Sequence, residues 1–164
     1  MTKKEILLRQ EELLEFPSFD EEDALLLGNL IVKRAKEAQY KIAVLIRLND
    51  GLTLFQCTTK GASLLNQIWA EKKFNTTRIM RKSSFLAVLE AEEIGQTMAD
   101  HGLQESCAYA PGAFPVRVKG AGIIGAVAIS GIMDLREHDF VPECMAEYLK
   151  ISDFPLVMEK EYIL

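Results

Sequence analysis

The sequence predicts a single α+β domain, an antiparallel sheet made of two hairpins and covered by helices. Three observations lead there. Two pairs of short apolar runs are each joined through a turn, Asn49-Asp50-Gly51 and Gly120-Ala121-Gly122, of the kind that closes a hairpin. Apolar doublets at helical spacing precede, separate and follow these hairpins. The 164 residues are 49% hydrophobic and 26% charged, which suffices for a core and excludes a disordered chain.

In chain order, Ile6/Leu7 and Leu13/Leu14 place a helix at 3–16, stopped by Pro17. Ser18 and Glu21 form a capping-box pattern for a second helix, whose inward stripe is Leu27, Leu30/Ile31, Ala35 and Ala38. Strands at 42–48 and 52–58 make the first hairpin. Leu64/Leu65 and Ile68/Trp69 return to helical spacing between 61 and 75, and another helix opens at Ser83 or Ser84 and runs to Gly102. Strands at 113–119 and 123–130 make the second hairpin, with Gly125 where another group comes close. The last helix, about 137–150, carries the doublets Phe140/Val141, Cys144/Met145 and Tyr148/Leu149. Exposed strand edges and the apolar first helix point to a homo-oligomer.

Lys and Arg number 19 against 24 Asp and Glu, a net charge of −5, which argues against nucleic acid as a partner. Cys57, Cys107 and Cys144 show no C-x-x-C and read as buried thiols; with only His101 and His138 beside them, no metal site is expected. The N-terminus lacks a secretory pattern, and the longest apolar run, 121–129, is far short of the ~20 residues of a membrane span. A cytoplasmic protein with no membrane partner is expected.

Gly120 to Gly125 matches G-x-G-x-x-G, but a strand rather than a helix follows, so it is no dinucleotide fingerprint. Three other segments carry the candidate chemistry. Residues 72–82 hold five cations (Lys72, Lys73, Arg78, Arg81 and Lys82) and no carboxylate, just before a helix start at Ser83-Ser84 whose free N–H groups attract anions. Trp69 shares a helix face with Lys72 and Lys73. This reads either as a solvated loop or as the basic edge of an anion pocket. Ala110-Pro111-Gly112-Ala113-Phe114-Pro115 is a rigid turn that either is structural or fixes N–H groups and Phe114 at a site. Ser130-Gly131 leads to Glu137-His138, where a helix dipole would keep the imidazole neutral.

Trp69-x-x-Lys72-Lys73, Thr76-Thr77, Ser83-Ser84, Gly112-x-Phe114-Pro115-Val116, Gly125-x-x-x-Ile129-Ser130-Gly131 and Glu137-His138 follow one another in a familiar order and spacing. Together they resemble the haem-degrading-domain superfamily (GlcG/HbpS-like), and within it the small uncharacterised UPF branch of stand-alone proteins. The resemblance covers residues 20–150 of a chain read as one domain over 1–164, with the helix at 3–16 as an extension. It implies about five antiparallel strands, a profilin-like outline and homo-oligomers. Some members bind haem or corrinoid-type tetrapyrroles; the branch itself has no settled activity. This chain departs at Pro111-Gly112-Ala113, where members show a glycine pair, and at Glu137, where they have Asp.

Three functions follow. The first is a binding protein for a small anionic ligand, a metabolite or haem-like tetrapyrrole, held by Trp69, Lys72, Lys73, Arg81, Ser83, Ser84, Tyr109, Gly112, Phe114, Pro115, Ser130 and Gly131. The second is an enzyme on a small metabolite, with His138 as acid–base group and Glu137 orienting it. The third is an oligomeric scaffold whose basic patch docks an acidic protein. The sharpest expectation is that Trp69, Lys73, Arg81, Ser83, Phe114 and His138 converge on one pocket.

Overall fold

The computed structural model describes residues 1–158. Helix α1 (Lys3–Leu13) starts in a capping box between Thr2 and Glu5 and stops short of the expected 3–16. Helix α2 (Glu21–Glu37) is capped not at Ser18 but at Asp20, whose carboxylate accepts from Glu22 N and Asp23 N while Asp23 reaches back to Asp20 N. Its buried stripe keeps Leu27, Ile31 and Ala35 but leaves Ala38 exposed. Strands β2 (Ala43–Leu48) and β3 (Thr53–Thr58), then β4 (Ala113–Val118) and β5 (Gly122–Ser130), form the two expected hairpins.

Between them, α3 (Leu64–Met80) runs well past Asn75, so most of the basic segment is helical rather than a loop. Helix α4 (Ser84–Ile94) ends at Gly95 in the left-handed conformation, seven residues before Gly102; a short 3-10 turn (Ala99–His101) follows. Helix α5 (Asp134–Tyr148) begins earlier than expected.

With a two-residue strand β1 (Glu15–Phe16) at one edge, the sheet order is β1-β4-β5-β2-β3, and it is mixed rather than antiparallel. This fifth strand runs parallel to β4, pairing Glu15 with Arg117 and Phe16 with Val118. Two residues are too few for any alternation to register in the sequence. What selects β1 is tertiary: Phe16 is buried at 1% exposure, and its carbonyl accepts from Lys119 N at 2.9 Å.

Alternate side chains of each strand enter opposite layers. Val44, Ile46, Phe114, Val116, Val127 and Ile129 pack with Leu27 and Ile31 of α2 and with Phe140, Val141 and Met145 of α5. On the other face Ala43, Ala113, Ala126 and Ala128 meet Ala70 and Phe74 of α3. One face is bulky and the other is nearly all alanine, so α3 lies close to the backbone. A satellite core of Ile6, Leu7, Phe85, Leu86 and Val157 joins α1 to α4.

In the middle of β5 a Cβ added to Gly125 would stand 2.2 Å from the Arg47 carbonyl oxygen of β2, so this glycine is required by space. Gly125→Ala should lower the stability in urea unfolding by about 3 kcal/mol, the scale of an overpacked core; an unchanged midpoint would refute that close approach.

Candidate functional site

Lys73 lies on the sheet-facing side of α3 and is only 5% exposed. Its ammonium donates to Ser130 Oγ at 3.2 Å and Ile129 O at 3.5 Å, and pairs with the Glu137 carboxylate. The other Glu137 oxygen accepts from Ile132 N at 3.1 Å, one residue beyond Gly131. Gly112 closes the cluster: at φ 133, a Cβ there would sit 2.7 Å from Ile129 O and 3.1 Å from Glu137 Oε1. Burial pushes Lys73 down and Glu137 up, and the attraction between them opposes both shifts. Glu137 therefore holds Lys73; it does not orient His138.

His138 is the fifth residue of α5, 1% exposed, packed against the rings of Phe85 and Phe114 at 5.4 and 6.1 Å. Its Nε2 lies 2.7 Å from Gln10 Oε1. Gln10 Nε2 faces two acceptors, Pro155 O at 2.8 Å and Asp139 Oδ1 at 3.4 Å, which fixes the amide orientation and makes His138 Nε2 the donor. Its Nδ1 is buried without a partner. Burial lowers the imidazole to about 3, so it is neutral because of desolvation, not because of a helix dipole.

The N-terminus of α4 does attract an anion, and the chain supplies it. Glu11 Oε1 accepts from Ser83 N at 2.7 Å, with Arg117 at 3.5 Å from the same carboxylate. Ser83 Oγ caps Leu86 N, and Ser84 Oγ accepts from Ala113 N at 3.0 Å. Both serines are fully buried, and Phe114 and Pro115 lie in the core beside them.

An open groove of about 410 Å³ lies between α3, α4 and the chain that follows α4. Trp69 and Lys72 of α3, Val88 and Glu92 of α4, and Met98, Cys107 and Tyr109 of the following chain line it. Trp69 is 40% exposed, and the Lys72 ammonium stands 5.3 Å from its ring centroid. Burial raises the Tyr109 phenol. Thr76 fixes this end of the groove, donating to Ala108 O at 2.7 Å and accepting from Ala108 N at 3.1 Å, while Asn75 Nδ2 donates to Ser106 O at 2.8 Å.

The candidate residues thus fall into separate groups. Lys73, Gly112, Ser130, Gly131 and Glu137 form the buried knot; Trp69, Lys72 and Tyr109 share the groove; Ser83, Ser84, Phe114, Pro115 and His138 are interior. Arg81 is exposed at the end of α3 and donates to Ile123 O at 3.0 Å. Ile123 and Ser130 lie seven residues apart on β5, about 23 Å at strand rise, so one chain does not bring Arg81 to the knot. The five cations are not an unpaired cluster either. Lys73 has Glu137, Lys82 has Glu90 at 2.5 Å, and Arg78 reaches Asn49 O.

Sequence reasoning missed Val88, Met98 and Cys107 as groove residues, since nothing distinguishes them from core residues, and Asn75 and Thr76 as its supports. Cys57 is half-buried rather than buried. Among the described residues no group of three or more His, Cys, Asp or Glu is placed to hold a metal ion, and no helix is long and apolar enough to cross a membrane.

Comparison with known proteins agrees with this architecture. The family model for the haem degrading protein HbpS-like group matches residues 19–146. A UPF0303 protein of Brucella anthropi is 41% identical over 145 residues, 87% of this chain and 85% of that one. The crystal structure of the Ybr137w protein has the same fold, with TM-score 0.80 over 90% of this chain and 88% of its own at 23% identity. So does that of a PduOC–heme complex, with TM-score 0.68 over 79% and 94% at 21% identity.

The buried pair makes a direct prediction. Lys73→Met leaves an uncompensated carboxylate and should cost about 3–5 kcal/mol in urea unfolding. Adding Glu137→Leu should restore most of that loss; a double variant no more stable than Lys73→Met would show that the pair is not what the cluster depends on.

Proposed function

Since the chain belongs to the HbpS-like haem degrading family and has UPF0303 relatives, we propose that it is a binding protein for a planar, largely apolar anion of the tetrapyrrole class, held in the groove at Trp69. One observation carries the reading: a half-exposed indole with an ammonium over its ring, on the wall of an open groove of about 410 Å³. Such a volume suits a small ligand, and Trp69, Val88, Ala91 and Met98 give the lining the apolar surface such ligands require, beside the polar Lys72, Glu92, Gln96, Thr97 and Gln104. Lys72 would meet a carboxylate at the rim, and Trp69 and Tyr109 would flank the ring system. Tyr109, Met98 and Cys107 on the lining are of types that ligate haem iron; Met98 and Cys107 are buried, so Tyr109 is the residue that would hold an iron tetrapyrrole. The PduOC structure, solved as a heme complex, supports the same ligand class.

In this reading the interior groups position the site. The Lys73–Glu137 knot anchors Gly112, three residues after Tyr109, and Thr76 anchors Ala108, so the wall between them is held at both ends. His138 and Glu137 are committed to internal partners and take no acid–base role in binding.

Self-association belongs to the proposal too. Leu64, Leu65 and Ile68 are 68%, 61% and 41% exposed and continue the Trp69 face of α3. A second copy is the occupant proposed for this face. Light scattering should return at least twice the mass of one chain, falling to the monomer in Leu65→Glu/Ile68→Glu; a monomeric parent protein would refute it.

Trp69 is the sole tryptophan, so ligand titration reads out at the site itself. Added hemin should quench its emission saturably with a concomitant Soret shift, and Lys72→Glu should weaken binding by about 5-fold, roughly one exposed charge contact. Unquenched emission during stoichiometric hemin addition would refute the groove as the binding site.

A further inference from the structure

A second cleft, of about 610 Å³, opens where α2 hands over to β2, and it shares no lining residue with the Trp69 groove. Lys36, Lys41 and Lys60 stand on its walls with Tyr40. Several cations elsewhere are neutralised by carboxylates: Arg34 has Glu37 and Glu147, Arg136 has Glu143, and Lys73 has Glu137. None of the three cleft lysines has a carboxylate partner among the described residues. In a chain of net charge −5, three unpaired ammoniums around one concavity are a local reversal of sign.

The floor beneath them is rigid. Thr59, 7% exposed, donates through Oγ1 to Tyr40 O at 2.6 Å and accepts from Ile42 N at 2.8 Å, joining the end of β3 to the start of β2. Gln39 takes a left-handed conformation at φ 60 as the chain leaves α2, and Tyr40 N returns to Ala35 O at 2.8 Å. The Lys41 stem lies along Gly61, where a Cβ would come within 3.0 Å of Lys41 Cδ. Tyr40 Oη accepts from Arg136 Nε at 3.0 Å, which leaves its own proton free to donate.

We propose that this cleft binds a diphosphate group. A diphosphate carries about three negative charges at neutral pH, which matches three ammoniums. Lysine serves phosphate as a point charge, while the flat fork that grips a carboxylate is arginine's, and no arginine lines the cleft. The group belongs either to inorganic pyrophosphate or to a nucleoside diphosphate, and the experiment separates the two.

Calorimetric titration of the full chain at low salt should show saturable binding of pyrophosphate at one site, weakened about tenfold by Lys41→Gln and again by Lys60→Gln, each loss being one charge-assisted contact. Both side chains are exposed, so the variants should keep the parent's unfolding midpoint. Trp69 emission should not change on pyrophosphate addition, which separates this site from the groove. A nucleoside diphosphate binding more tightly than pyrophosphate supports the proposal with the nucleotide as source; equal binding supports it with the inorganic group. No saturation by about 1 mM, citrate binding as tightly as pyrophosphate, or affinity unchanged in both variants would overturn it.

Discussion

A lysine from the helix on one face of the sheet meets a glutamate from the helix that covers the other, and the meeting point lies at the end of the central strand β5. Both groups are almost out of water, so each is tolerable only while the other is present. The pair sets the docking of α3 relative to α5. Through Ser130 and the cramped Gly112 it also sets where the chain re-enters the sheet as β4. Removing one partner would leave a buried charge, a larger penalty than the loss of any single apolar contact here.

The second constraint is steric. The face of the sheet that receives α3 is mostly alanine, Ala43, Ala113, Ala126 and Ala128 with Leu45, while the opposite face carries Val, Ile and Phe. Alanines let α3 approach closely enough for Lys73 to reach past the strands. They also leave the outer side of α3 with its larger apolar residues, Leu64, Leu65, Ile68 and Trp69, in the open. The groove is what remains between that outer side and α4, and the hydrogen bonds of Asn75 and Thr76 tie the 106–108 segment of its lining to α3.

Charge shows how far a segment can mislead when read without its neighbours. Residues 72–82 are uniformly basic, yet Glu137 and Glu90 are folded onto two of their cations. An anion does sit at the N-terminus of α4, but it is Glu11, from the other end of the fold. Meanwhile Lys36, Lys41 and Lys60, separate in the sequence, come to one cleft without a carboxylate partner among the described residues.

Local patterns determined most of the fold. Glycine turns placed both hairpins, and doublets at helical spacing placed five helices to within a turn at most ends, because these signals are written in adjacent residues. Trp69 and Lys72 were legible as candidates for the same reason: an aromatic and a cation on one helix face need no tertiary information. The two-residue β1, the mixed sheet, the interior placement of His138 and the pairing of Lys73 with Glu137 were decided by tertiary structure alone. Each depends on partners tens of residues away, Phe16 with Lys119, Gln10 with His138, Lys73 with Glu137. Burial, which decides whether a charged or titratable side chain meets solvent or a private partner, is a property of the packed molecule, and no spacing along the chain encodes it.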